Sequence, residues 1–151
     1  MTGPMLLSSF ALALVSAVVP WVNGELVLLS FVVPTTSNLD LAQIVIAVTA
    51  GQVSGKSALY WAARRARRMP PPKVAAAIAR WRDRVARRPL AGLATMFVSA
   101  TFGVPPLYLT TLAAGSLMVE FGAFVSIIVC GRLLHFGAIA LVPRLVVHVL
   151  H

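Results

Sequence analysis

The chain has 151 residues, 59% of them apolar and 11% charged, with a mean hydropathy of +0.89 and a net charge of +9. Ordinary soluble domains carry about 25% charged residues, so this composition excludes a conventional water-facing surface; in lipid the same surface is acceptable if every backbone polar group is bonded internally. The length leaves room for a few membrane passes and for no catalytic domain beside them, and Cys130 alone excludes an intramolecular disulfide or a cysteine-based zinc site.

Residues 5–19 (MLLSSFALALVSAVV) form an apolar run, followed by Pro20-Trp-Val-Asn-Gly-Glu25, a second apolar run over 26–33 and Pro34. A secretory signal with Val15-Ser16-Ala17 as its cleavage site would need a basic N-terminal region, and no Lys or Arg precedes Lys56. One straight helix over 5–33 would be about 43 Å long, against a hydrocarbon core of about 30 Å. Pro20, Asn23 and Gly24 also mark a break. Two readings of 5–34 stand on composition: a span ending near Pro20, or a re-entrant helix–break–helix hairpin.

Residues 39–63 read as a spanning helix of ordinary length. Gly51 and Gly55 form a small-xxx-small pair on one face, where another helix can pack closely. Tyr60 and Trp61 stand beside the arginines, as interfacial anchors do.

Residues 64–88 hold ten of the thirteen basic residues against Asp83 alone, and so carry the entire net charge. The positive-inside rule puts the 64–89 segment in the cytoplasm, facing anionic lipid. Pro70-Pro71-Pro72 separates it from the preceding helix. Beyond that, Val74, Ile78, Trp81 and Val85 recur at helical spacing with arginines around them, which predicts an amphipathic helix lying in the headgroup layer. Arg80, Trp81, Arg84 and Arg88 are its expected lipid contacts; a solvated basic linker is the plainer alternative. No aromatic platform or nucleic-acid motif accompanies the arginines, so nucleic acid is not an expected partner.

Residues 90–118 repeat the broken pattern, with Gly103, Pro105 and Pro106 at the centre. Residues 119–142 form a further long apolar helix expected to close at Pro143, leaving 143–151 as a tail. Gly115 and Gly131 offer further close-packing points. Each half thus has a Pro-broken hydrophobic segment followed by one uninterrupted helix with a glycine before a base (Gly55-Lys56, Gly131-Arg132). With a cytoplasmic block between them the halves would be inverted repeats, a layout of secondary transporters.

Three stretches resemble one family. Pro20-Trp-Val-Asn-Gly-Glu25 is similar to the Pro-x-x-x-Glu re-entrant motif of the DedA family, also called VTT-domain or SNARE-associated-Golgi-type membrane proteins. Ala50-Gly51 through Gly55, with Tyr60 and Arg64, resembles its G-xxx-G-D-xxx-Y-xx-G-R helix. Gly103-Val-Pro-Pro through Ala113-Ala114-Gly115, Met118, Phe121, Phe124 and Gly131 resembles its second hairpin. The likeness implies two re-entrant hairpins facing each other from opposite leaflets of a bacterial plasma membrane. It also implies movement of phosphate-bearing lipids such as undecaprenyl phosphate, or ion-coupled transport. Two family features are replaced: Lys56 stands where an acid is expected, and Pro106, Leu107 and Tyr108 where an arginine is expected.

Four residues are candidates for a substrate or ion path. Glu25 lies in a hydrophobic break, where a carboxylate must be protonated, paired or wet; otherwise it ends a helix among headgroups. Arg132 lies well inside 119–142, where it would pair with Glu25, grip a phosphate bidentately or form a purely structural pair. Lys56 is close enough to the cytoplasmic end to snorkel or to meet substrate. His135, one turn from Arg132, would titrate or pack in the core.

Enzymatic patterns are lacking. Glu25, Asp40, Asp83 and Glu120 make no close carboxylate pair, and His135, His148 and His151 lack metal-ligand spacing. Gly51-Gln-Val-Ser-Gly55-Lys56-Ser57 is one residue short of a phosphate-binding loop. No metal or cofactor is expected.

The expected fold is thus an all-α integral membrane protein with two re-entrant hairpins in an inverted repeat, able to dimerise through its small-residue faces. The expected function is translocation of a phosphate-bearing lipid or small anion, with proton coupling through Glu25. The alternative is a membrane scaffold that recruits partners or anionic lipids through its basic segment.

Overall fold

The computed structural model describes residues 3–19, 21–35, 37–66 and 71–149, and at 74, 81, 84–86, 89 and 143–149 it describes the backbone alone. Pro20 and the side chains of Trp81 and Arg84, named above, therefore lie outside the described residues. Seven helices and no strand occur among those that are described: α1 (Gly3–Val18), α2 (Gly24–Val32), α3 (Asn38–Arg65), α4 (Pro72–Arg87), α5 (Pro89–Phe102), α6 (Leu107–Ser116) and α7 (Phe121–Val149).

Local chemistry explains where the helices start and stop. Asn23 caps α2, its side-chain oxygen accepting from the Glu25 N–H at 2.8 Å, and Glu25 in the first turn complements the helix dipole. Asp40 in the first turn of α3 and Arg64 and Arg65 in its last do the same for that helix. Pro72 and Pro89 open α4 and α5, positions where a missing N–H costs nothing. Gly103 ends α5 in the left-handed region at φ 75°, donating its N–H to the Ser99 carbonyl at 2.9 Å. A cis Val104–Pro105 bond follows, and α6 starts after Pro106.

Phe121–Val142 within α7 is the one stretch among the described residues that is long and apolar enough to cross a membrane, and 22% of it is buried. α3, expected as a second ordinary span, has 28 residues but falls short on apolarity because Asp40, Gln43, Gln52 and Lys56 interrupt it. The close expected at Pro143 does not occur. α7 runs on to Val149, so the expected tail is largely helical; an internal proline removes one backbone bond and bends a helix without having to end it.

The chain divides into two compact units. The first comprises residues 1–55 and 132–151, the second residues 56–131. In the first unit α1 packs on α2, around a core that includes Ala13, Leu28, Val32, Ile44, Val48 and Phe136. Gly51 and Gly55 lie directly against α1. A Cβ at Gly51 would overlap the Phe10 carbonyl oxygen, and one at Gly55 would come within 2.5 Å of the Ala17 Cβ.

In the second unit α4 packs on both α5 and α6, and α5 on α6. Tyr60 is fully buried, stacked on Phe124 with centroids 4.8 Å apart. Its hydroxyl donates to the Val119 carbonyl and accepts from Arg64 Nη1 at 2.6 Å. Of the two expected interfacial anchors, Tyr60 is therefore a core residue, because the last turns of α3 pack against the start of α7 within this unit, while Trp61 is exposed. Gly115 lies against the Tyr60 carbonyl, and a Cβ on Gly131 would come within 2.5 Å of the Ala100 Cβ.

Candidate functional site at the first helix break

The residues that carry chemistry in the first unit converge on the start of α2. The Asn23 cap places Glu25 in the opening turn, and Gly24 beside it packs against the Gln52 and Ser16 side chains. A Cβ there would lie 2.7 Å from Gln52 Nε2 and 3.3 Å from Ser16 Oγ. Gln52 Nε2 donates to Ser16 Oγ at 2.6 Å, and Ser16 Oγ donates to the Ala13 carbonyl at 2.8 Å. Gln52 and Ser16 are both buried. This polar seam joins α1, α2 and α3 behind the break. Thr49, one turn before Gln52, is also buried, and its hydroxyl has no partner.

Glu25 is 48% exposed and its Oε1 lies 3.0 Å from His135 Nε2, a nitrogen on a side chain that is 14% exposed. The predicted alternatives for Glu25 included a pair with Arg132; its hydrogen-bonded partner is His135. Arg132 stands one turn earlier on α7, half-buried, its guanidinium carbon 5.3 Å from the centre of the Phe136 ring. Glu25 is the opposite charge that acts on it, yet the buried Arg132 Nε has no hydrogen-bond partner. A guanidinium normally satisfies its planar fork of donors with carboxylate or phosphate oxygens.

Lys56 belongs to the second unit. It is 5% exposed, with its ammonium 5.8 Å from the centre of the Tyr108 ring, so it does not snorkel. Burial on the inner face of α3 holds the ammonium at an aromatic ring, a cation–π arrangement. Gly103, Pro105 and Pro106 form the second break, where Ser99 Oγ donates to the Pro105 carbonyl at 2.5 Å. Arg80 and Arg88 are exposed on α4 and at its end.

A guanidinium with an unused N–H can bind an anion. The seam of Ser16, Thr49 and Gln52 is what sequence reasoning missed. Its one legible signal is that three polar residues interrupt otherwise apolar helices. No group of three His, Cys, Asp or Glu that could hold a metal occurs among the described residues.

Comparison with protein-family models, with curated proteins and with solved structures finds no match.

Proposed function

We propose that the protein is an integral membrane transporter that moves a phosphate-bearing lipid or small anion across the bilayer. The observation that carries this reading is Arg132. Its guanidinium sits inside a membrane-length apolar helix with a buried N–H lacking an acceptor, a costly arrangement that makes an intramembrane cation a candidate for a substrate or ion path. Glu25 and His135 beside it supply an exchangeable proton and act as the gate at the break.

Further features support a membrane setting. α2 and α6 have 9 and 10 residues, or about 14–15 Å, half of a hydrocarbon core of about 30 Å. That length suits re-entrant hairpins and an inverted repeat, with the basic 64–89 segment on the cytoplasmic side. Trp21 is 90% exposed at the first break, as an interfacial residue would be. The motif resemblance to the DedA family points to the same substrate class.

The test is transbilayer movement of a fluorescent phosphate lipid in liposomes holding purified wild-type or Arg132→Met protein, both shown to be folded. Movement in wild type that the substitution abolishes supports the reading. Equal movement with both proteins, or none above empty vesicles with either, overturns it. Labelling of cysteines at positions 8 and 37 in a Cys130→Ser background tests the topology: a re-entrant first pair exposes both on the same side.

A further inference from the structure

A cleft of about 340 Å³ opens in the second unit where α4 meets the second break. Ala77 and Arg80 of α4 form one wall, and Pro105, Pro106, Leu109 and Ala113 form the other. Its volume falls at the lower end of the range for small-ligand sites, about 300–1,000 Å³.

The donors and acceptors around this cleft narrow its occupant. Pro105 and Pro106 have no N–H. The N–H groups of Leu109 and Thr110 both donate to the Pro106 carbonyl, at 2.9 and 3.3 Å. Thr110 Oγ1 lies 3.1 Å from the Leu107 carbonyl and 3.1 Å from Ser99 Oγ, so its proton is used inside the wall. Among the described residues no acidic side chain lines the cleft. Among the described residues that line it, the one uncommitted donor group is the guanidinium of Arg80, an exposed residue. A neutral apolar wall with one cation at its edge is complementary to an amphiphilic anion. Water-soluble anions would gain nothing from Ala77, Leu109 and Ala113, and a neutral apolar ligand would leave the guanidinium unused.

We propose that this cleft is a binding site for one anionic phospholipid, with its phosphate on Arg80 and the first part of an acyl chain between α4 and α6. The site is separate from Arg132 and does not rest on the transport reading. It also differs from a general attraction of the basic helix to acidic membrane, because Arg80 is the one arginine among the described residues that line it. The neighbouring Arg82 and Arg87, exposed on the same helix, do not line the cleft.

The experiment is native mass spectrometry of the detergent-solubilised full chain, titrated with short-chain phosphatidylglycerol, with phosphatidylcholine of equal chain length, and with inorganic phosphate. One phosphatidylglycerol should bind per chain in preference to phosphatidylcholine, and inorganic phosphate should not displace it at equal concentration. Arg80→Gln should weaken it about tenfold, the loss of one charge-assisted hydrogen bond, whereas Arg82→Gln and Arg87→Gln should change it less than twofold. Ala77→Leu, which narrows the cleft with every charge retained, should weaken it as well. Equal weakening by all three arginine substitutions, with no effect of Ala77→Leu, would assign the binding to diffuse charge and overturn the site. Displacement by inorganic phosphate would show a phosphate site and overturn the lipid assignment.

Discussion

His135 Nε2 and Glu25 Oε1 lie 3.0 Å apart although the residues are 110 positions apart in the chain. The contact joins the opening turn of α2 to the apolar α7 within the first unit. Each residue should depend on the other. Glu25→Ala and His135→Ala each remove the pair, so in a double-mutant cycle on thermal stability their effects should fall short of additive by about 1 kcal/mol. Strict additivity would show that the contact contributes nothing to the fold.

Arg132 should separate stability from function. Replacing a buried, poorly partnered ion with an apolar side chain of similar volume is often neutral or stabilising. Arg132→Met should therefore unfold at the same temperature as wild type or a higher one, while lipid movement is lost. A large drop in unfolding temperature would instead assign the guanidinium a structural role.

The glycines make a paired prediction. Gly51→Ala must push α1 away, because its Cβ would overlap the Phe10 backbone, and should cost about 1–3 kcal/mol, as overpacking does. At Gly137 a Cβ meets nothing within 4 Å. Gly137→Ala should stabilise by up to about 1 kcal/mol through helix propensity alone. Unfolding curves in one detergent measure both.

Met118 sits just past α6 with φ 54°, in the left-handed region that favours glycine at helix C-termini. The Val119 N–H donates to the Ala114 carbonyl at 3.0 Å and the Met118 N–H to Gly115 at 3.1 Å, which fixes the turn. Met118 is 65% exposed, so its side chain adds little packing. Met118→Gly should raise stability by about 1 kcal/mol. Gly103→Ala, which imposes the same strain at the end of α5, should lower it by about as much.

The sequence by itself determines what local chemistry can carry. Helical character follows from the long apolar runs, and the helix ends follow from Asn23, Gly103, Pro72, Pro89 and Pro106, which act on backbone within a few residues of themselves. The concentration of charge between 64 and 88 is likewise a property of the chain order. Pro143 shows the limit of such reasoning: a proline signals a helix end, but α7 continues past it, because the loss of one backbone bond does not outweigh the rest of a long helix.

Tertiary structure alone decides the pairings. Nothing near Glu25 in the chain indicates His135 as its partner over Arg132, since the choice depends on which turn of α7 faces the break. Lys56 has the sequence context of a snorkelling residue and is buried at Tyr108, and Tyr60 has that of an interfacial anchor and is stacked on Phe124. The cleft beside Arg80 exists only because α4 packs on α6. Local periodicity sets which face of a helix is apolar, but which neighbour covers that face is set by packing between residues far apart in the chain.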